Sequence, residues 1–96
     1  MEVKFDKAVF HVDSVKKAAY RFLDRFTPEI SLTDEAIGCC LTFPAGTSAA
    51  AMAAIIEDFK KEVLDQELRR SIALETEAYR NAILALAFAP LQRTRK

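Results

Sequence analysis

Thr47-Ser48-Ala49-Ala50-Ala51-Met52-Ala53-Ala54-Ile55-Ile56-Glu57-Asp58-Phe59-Lys60-Lys61-Glu62-Val63 opens a stretch that runs on to Ala89 without a single Gly or Pro. The reading of this stretch decides the fold. Met52, Ile55, Ile56, Phe59 and Val63 recur at helical spacing, and Leu68, Ile72, Tyr79 and Ile83 form a second stripe at steps of four and seven. Thr47 or Ser48 is placed to cap the start. A straight helix of more than forty residues would reach about 60 Å at ~1.5 Å per residue, too long for a 96-residue globule to cover. The spacing therefore predicts two helices with a break near Leu64 to Glu67. The alternative is one uninterrupted helix that packs against a second subunit. Pro90 is expected to end the helical region, leaving residues 90–96 as a tail.

Upstream, the periodicity changes from helical to alternating. Val3 to Val12 reads as a strand whose phase shifts near Asp6-Lys7, as a bulge would allow. Asp13 or Ser14 can cap a helix carrying Val15, Ala18, Ala19, Phe22, Leu23 and Phe26 on one stripe. Lys17, Arg21 and Arg25 form a row on another face, either solvated or facing an acidic partner. Thr27-Pro28 stops that helix. Ile30 and Leu32, then Ile37, Cys39, Leu41 and Phe43, alternate with small or polar residues on either side of Asp34-Glu35, which describes a hairpin with one apolar face. The expected architecture is α+β, a single domain over 1–96 in the order β-α-β-β-α-α. Residues 1–46 supply a small three-stranded sheet, and the helices cover one of its faces.

Composition narrows the classes of function. Fourteen basic and fourteen acidic residues cancel over the chain, so the basic excess that displaces counterions from nucleic acid is missing. No unbroken apolar run is longer than Ala82 to Ala89, far short of the ~20 residues that span a bilayer. Cys39 and Cys40 are adjacent and point to opposite faces of a strand, so they cannot pair with each other in an ordinary disulfide. With no apolar leader at the N-terminus, a reduced, cytoplasmic setting is expected.

Chemistry-bearing residues are few. His11 with Cys40 is the one conceivable catalytic pair, but no basic neighbour is evident to activate a thiolate. No cluster has the spacing of metal ligands, and neither a cofactor nor enzymatic activity is expected. Asp65, Arg69, Thr76 and Arg80 share one helix face beside Leu68, Ile72 and Tyr79. Two arginines flanked by an acid and a hydroxyl next to an apolar seam suit recognition of a backbone or carboxylate, although intrahelical pairing on a solvated face would give the same pattern. From Ala82 to Phe88 apolar residues occupy every side of the helix. One small sheet cannot cover them all, so a homodimer through Leu84, Leu86 and Phe88 is expected.

The segment Val63-Leu64-Asp65-Gln66-Glu67-Leu68-Arg69-Arg70-Ser71-Ile72-Ala73-Leu74-Glu75-Thr76 resembles the signature of the D protein of the bacterial His-Xaa-Ser peptide-modification system. That signature runs approximately Leu-Leu-Asn-Asp-Tyr-x-Leu-Arg-Glu-x-Ile-x-x-Glu-Thr. The match holds at Asp65, Leu68, Arg69, Ile72, Glu75 and Thr76, and departs at Leu64, Gln66 and Arg70. Val15 to Phe22 is similar to the first helix of the family. The resemblance implies an accessory factor without an activity of its own, working beside radical S-adenosylmethionine maturases and a precursor peptide bearing His-Xaa-Ser repeats. It adds Glu75 to the partner-binding set of Asp65, Arg69, Thr76 and Arg80.

Overall fold

The computed structural model describes residues 1–94, with side chains described through residue 85. The element order is β1 (Glu2–Asp6), α1 (Val12–Arg21), β2 (Thr27–Leu32), β3 (Ala36–Thr42) and α2 (Ala49–Thr94). The fold is α+β. The three strands form one antiparallel sheet in the order β1-β3-β2. The hairpin register sets Leu32 opposite Ile37 and Ile30 opposite Cys39. β1 adds to the far side of β3 with Val3 opposite Cys39 and Phe5 opposite Ile37. Alternation does the rest: Val3, Phe5, Ile37, Cys39 and Leu41 all fall on the face that meets the helices and are buried.

The first strand is shorter than the sequence predicts. Asp6 ends it by accepting hydrogen bonds from Val9 N (3.0 Å) and Phe10 N (2.9 Å) on its carbonyl, while its carboxylate accepts one from Ala8 N at 2.8 Å. A turn replaces the bulge. The shift in phase is real, but its cause is the entry into α1, whose N-cap is His11 rather than Asp13 or Ser14. Phe10 still reaches the core, packing edge-on against Phe5 at 5.4 Å.

Phe59 of α2 is the centre of that core. Its ring stands edge-on to Phe5 (5.9 Å), Phe22 (5.7 Å) and Phe26 (5.2 Å) between ring centroids, an arrangement aromatic quadrupoles favour. Val15, Ala18, Ala19, Phe22 and Phe26 are buried as the stripe requires. Leu23 is exposed, because α1 has already ended at Arg21.

The second helix is one rod. It starts where Ser48 Oγ accepts from Ala51 N at 3.1 Å, and it continues through Leu64 to Glu67 without a break. The β-α-β-β-α-α order is thus corrected to β-α-β-β-α. Interrupting a helix strands up to four carbonyls and four N–H groups, and no Gly or Pro lies here to ease a reversal. Coverage was the only reason to expect a break, and the structure does not provide coverage: Ser71 to Ala85 are all exposed. Forty-six residues at ~1.5 Å each make about 69 Å, and the longest dimension of the molecule is 70 Å. Nor does Pro90 end the helix, which is described through Thr94; a proline forfeits its own N–H bond without dictating where later residues go. No helix among the described residues is long and apolar enough to cross a membrane.

Candidate functional site

The two helices run antiparallel and are tied by a ladder of charge. Arg25 pairs with Asp58 at 3.9 Å and Arg21 with Glu62 at 3.3 Å. The basic row that runs from α1 into the turn after it is therefore not simply solvated; Arg21, the last residue of α1, and Arg25, in that turn, meet acids of α2 at i and i+4. These pairs are exposed and contribute roughly 0.2–1 kcal/mol each.

Further along, Glu67 forms a hub. The residue is 7% exposed. Its Oε1 accepts from His11 N (2.9 Å) and from Ser14 Oγ (2.9 Å), and its Oε2 lies 3.2 Å from His11 Nδ1. His11 is the N-cap of α1 and Ser14 its third residue, the spacing at which a capping box operates. Neither residue can close the box alone, so the carboxylate comes from α2 instead. Burial on its own would raise the Glu67 carboxyl, but the His11 N–H, the Ser14 hydroxyl and the His11 ring together hold it below its ordinary 4.5.

His11 Nδ1 has a second neighbour, Arg70 Nη1 at 3.0 Å. A protonated Nδ1 donates to Glu67, whereas a bare one accepts from Arg70. The two contacts are alternatives selected by the tautomer. Glu67, Ser14 and Arg70 are the members of this cluster that sequence reasoning missed. A lone carboxylate on a polar helix stretch looks like surface decoration. The one available signal was the cap spacing of His11 and Ser14 without a carboxylate of its own.

The residues expected to bind a partner lie on the part of α2 that leaves the globule. Asp65 is half-buried and accepts from Arg69 Nε at 2.7 Å, which holds the guanidinium above its ordinary pKa. Glu75, Thr76 and Arg80 are exposed further along the rod. The apolar stripe beside them is bare: Leu64, Leu68, Ile72, Tyr79 and Ile83 are between 48% and 71% exposed. Leu84 is also exposed at 45%, while Leu86 and Phe88 lie outside the residues whose side chains are described.

His11 and Cys40 are not brought together. Cys40 is exposed on the sheet face away from the helices, in register with Glu2 and Glu29, and His11 sits at the helix junction. Cys39 is fully buried, and burial, then the neighbouring Cys40, pushes its thiol up to about 11. Among the described residues no group of three or more His, Cys, Asp or Glu could hold a metal ion.

The fold is a small antiparallel sheet backed by a capped helix pair, from which one helix runs on as a bare arm. The chain belongs to the family described as His-Xaa-Ser system protein HxsD, which it matches over residues 5–94. No curated protein and no solved structure matches it.

Proposed function

We propose that this protein is a non-enzymatic accessory factor in radical S-adenosylmethionine-dependent peptide maturation. It binds a maturase of the His-Xaa-Ser system, or the precursor peptide with its His-Xaa-Ser repeats, in the cytoplasm. The observation that carries this reading is the arm: every residue from Ser71 to Ala85 is exposed, yet Ile72, Leu74, Tyr79, Ile83 and Leu84 are large and apolar. Such a surface on a protein of this size calls for a partner. Asp65, Arg69, Glu75, Thr76 and Arg80 flank the stripe and supply the directional contacts. Family membership supplies the candidate partners.

The test is capture of the adjacent-gene products by the purified protein. Arg69→Ala and Thr76→Ala should each abolish capture while circular dichroism and the unfolding midpoint stay unchanged. Undiminished capture of both maturases and precursor by the two variants overturns the reading.

A second reading concerns the apolar edge itself. Leu64, Leu68, Ile72, Tyr79 and Ile83 recur along nearly one side of the rod over about 28 Å at ~1.5 Å per residue, the spacing of a two-helix seam. A homodimer through this edge takes the stripe and its polar flank in place of the maturase or precursor.

A further inference from the structure

The ladder between the helices has a third rung that lacks its acid. Asp58 and Glu62 face Arg25 and Arg21; four residues on, the position is Gln66, and four residues back on α1 is Lys17. Gln66 turns its amide to Glu62 at 2.8 Å. Neither Lys17 nor Arg70 forms an ion pair among the described residues. Here α2 outruns α1, and the diverging surfaces leave a concavity of about 380 Å³ lined by Lys17, Gln66, Arg69, Arg70, Ala73 and Leu74. Three cations border it, and among the described residues the one carboxylate holding any of them is Asp65, which is bound to Arg69. Its floor is apolar where the arm begins.

We infer that this groove takes an acidic peptide segment from a protein partner: one carboxylate completes the ladder between Lys17 and Arg70, and an apolar side chain beside it packs on Ala73 and Leu74. This inference rests on the accessory-factor reading and names the chemistry of the segment bound. Two cations without a counter-ion favour a carboxylate, since a planar guanidinium and a carboxylate match in a forked pair. The apolar floor favours a peptide over a free anion, which has nothing to place there. Net neutrality of the chain removes a long-range preference for nucleic acid.

Binding also has a consequence at His11. Arg70 leaves Nδ1 when it turns to the incoming carboxylate, and Nδ1 becomes free to donate to Glu67 at 3.2 Å. Occupancy of the groove is thereby reported at the cap of α1. His11 is the one histidine of the chain, so its ring nitrogens give an unambiguous signal.

The experiment is nuclear magnetic resonance of the ¹⁵N-labelled full chain. The probe is a synthetic peptide with glutamates and leucines alternating at helical spacing; two controls carry glutamine for glutamate and serine for leucine. The expected result is movement of the Lys17, Gln66, Arg70 and Leu74 resonances with the parent peptide, together with a change of His11 Nδ1 toward the protonated form. Each control, and each of Lys17→Glu and Arg70→Gln, should weaken binding roughly three- to fivefold, the size of one partly exposed charge pair or one small apolar contact. Lys17 is exposed and makes no hydrogen bond or ion pair among the described residues, so its variant keeps the fold even if Arg70→Gln loosens the cap. Equal binding of the glutamine peptide, inorganic phosphate moving the same resonances as strongly as the peptide, or movement confined to Leu68, Ile72 and Tyr79 overturns the inference. If Lys17→Glu still captures the system's proteins while Arg69→Ala does not, the wider function stands and this groove is not its site.

Discussion

Replacing Glu67 by alanine leaves two donors aimed at the space the carboxylate filled. Ser14 is 1% exposed, so its hydroxyl has no route to water, and a stranded buried donor costs about 1–3 kcal/mol. The His11 N–H is nearer the surface, because the ring beside it is half-exposed, and water recovers part of that loss. The sum is about 2–4 kcal/mol. A domain with roughly 70 packed residues has about 4–10 kcal/mol in all, so one side chain removes near half of it. Glu67→Gln preserves one acceptor oxygen and should cost only about 1 kcal/mol. The sharper measurement is a double-mutant cycle with Ser14→Ala, read from urea unfolding at constant slope. Once the hydroxyl is gone, deleting Glu67 strands one donor instead of two, so the double variant must be less unstable than the sum of the singles by about 1 kcal/mol. Additive losses, or an alanine variant within about 0.5 kcal/mol of the parent, would falsify the cross-helix cap.

The same carboxylate sets an acid limit. Its folded pKa lies below the unfolded 4.5, so its contribution is complete above that pH and is lost as pH falls further; acid unfolding followed by circular dichroism should be less steep in Glu67→Gln. Phe59→Ala empties the centre of the aromatic cluster and should cost about 3–5 kcal/mol, leaving a chain that is largely unfolded in thermal melts. If the apolar edge pairs two copies of the chain, Ile72→Asp with Tyr79→Asp should give a monomer in light scattering; a monomeric parent at micromolar concentration refutes the self-association reading. A thiol reagent at mildly alkaline pH should modify Cys40 at once and Cys39 only after denaturant is added, and peptide modification should persist with both replaced by serine.

The sheet was legible because alternation leaves little choice: a one-residue slip would turn Ile37, Cys39 and Leu41 outward. The stripe of α1 was legible for the analogous reason at period 3.6. Tertiary facts were less accessible. Val9 to Val12 has strand composition, yet a single carboxylate, Asp6, converts it into a turn. The expected break in α2 came from assuming that a helix must be covered, whereas local sequence offered no means to break it. Glu67 carries no mark in the sequence, since its partners lie more than fifty residues away. The continuous helix preserves phase, and so keeps Asp65, Arg69, Thr76 and Arg80 on one face.

An uninterrupted rod also behaves as a ruler with an angular scale. From Glu67 to Ala85 it fixes a separation of about 27 Å and an orientation, because each residue adds ~1.5 Å and ~100°. Deleting one residue of the arm would swing everything beyond it a quarter-turn or more around the axis while shortening it by less than a bond-length pair. Deleting seven would move the tip inward by about 10 Å and return it almost to the same heading. A partner that gripped both ends of the arm would therefore tolerate the second change better than the first.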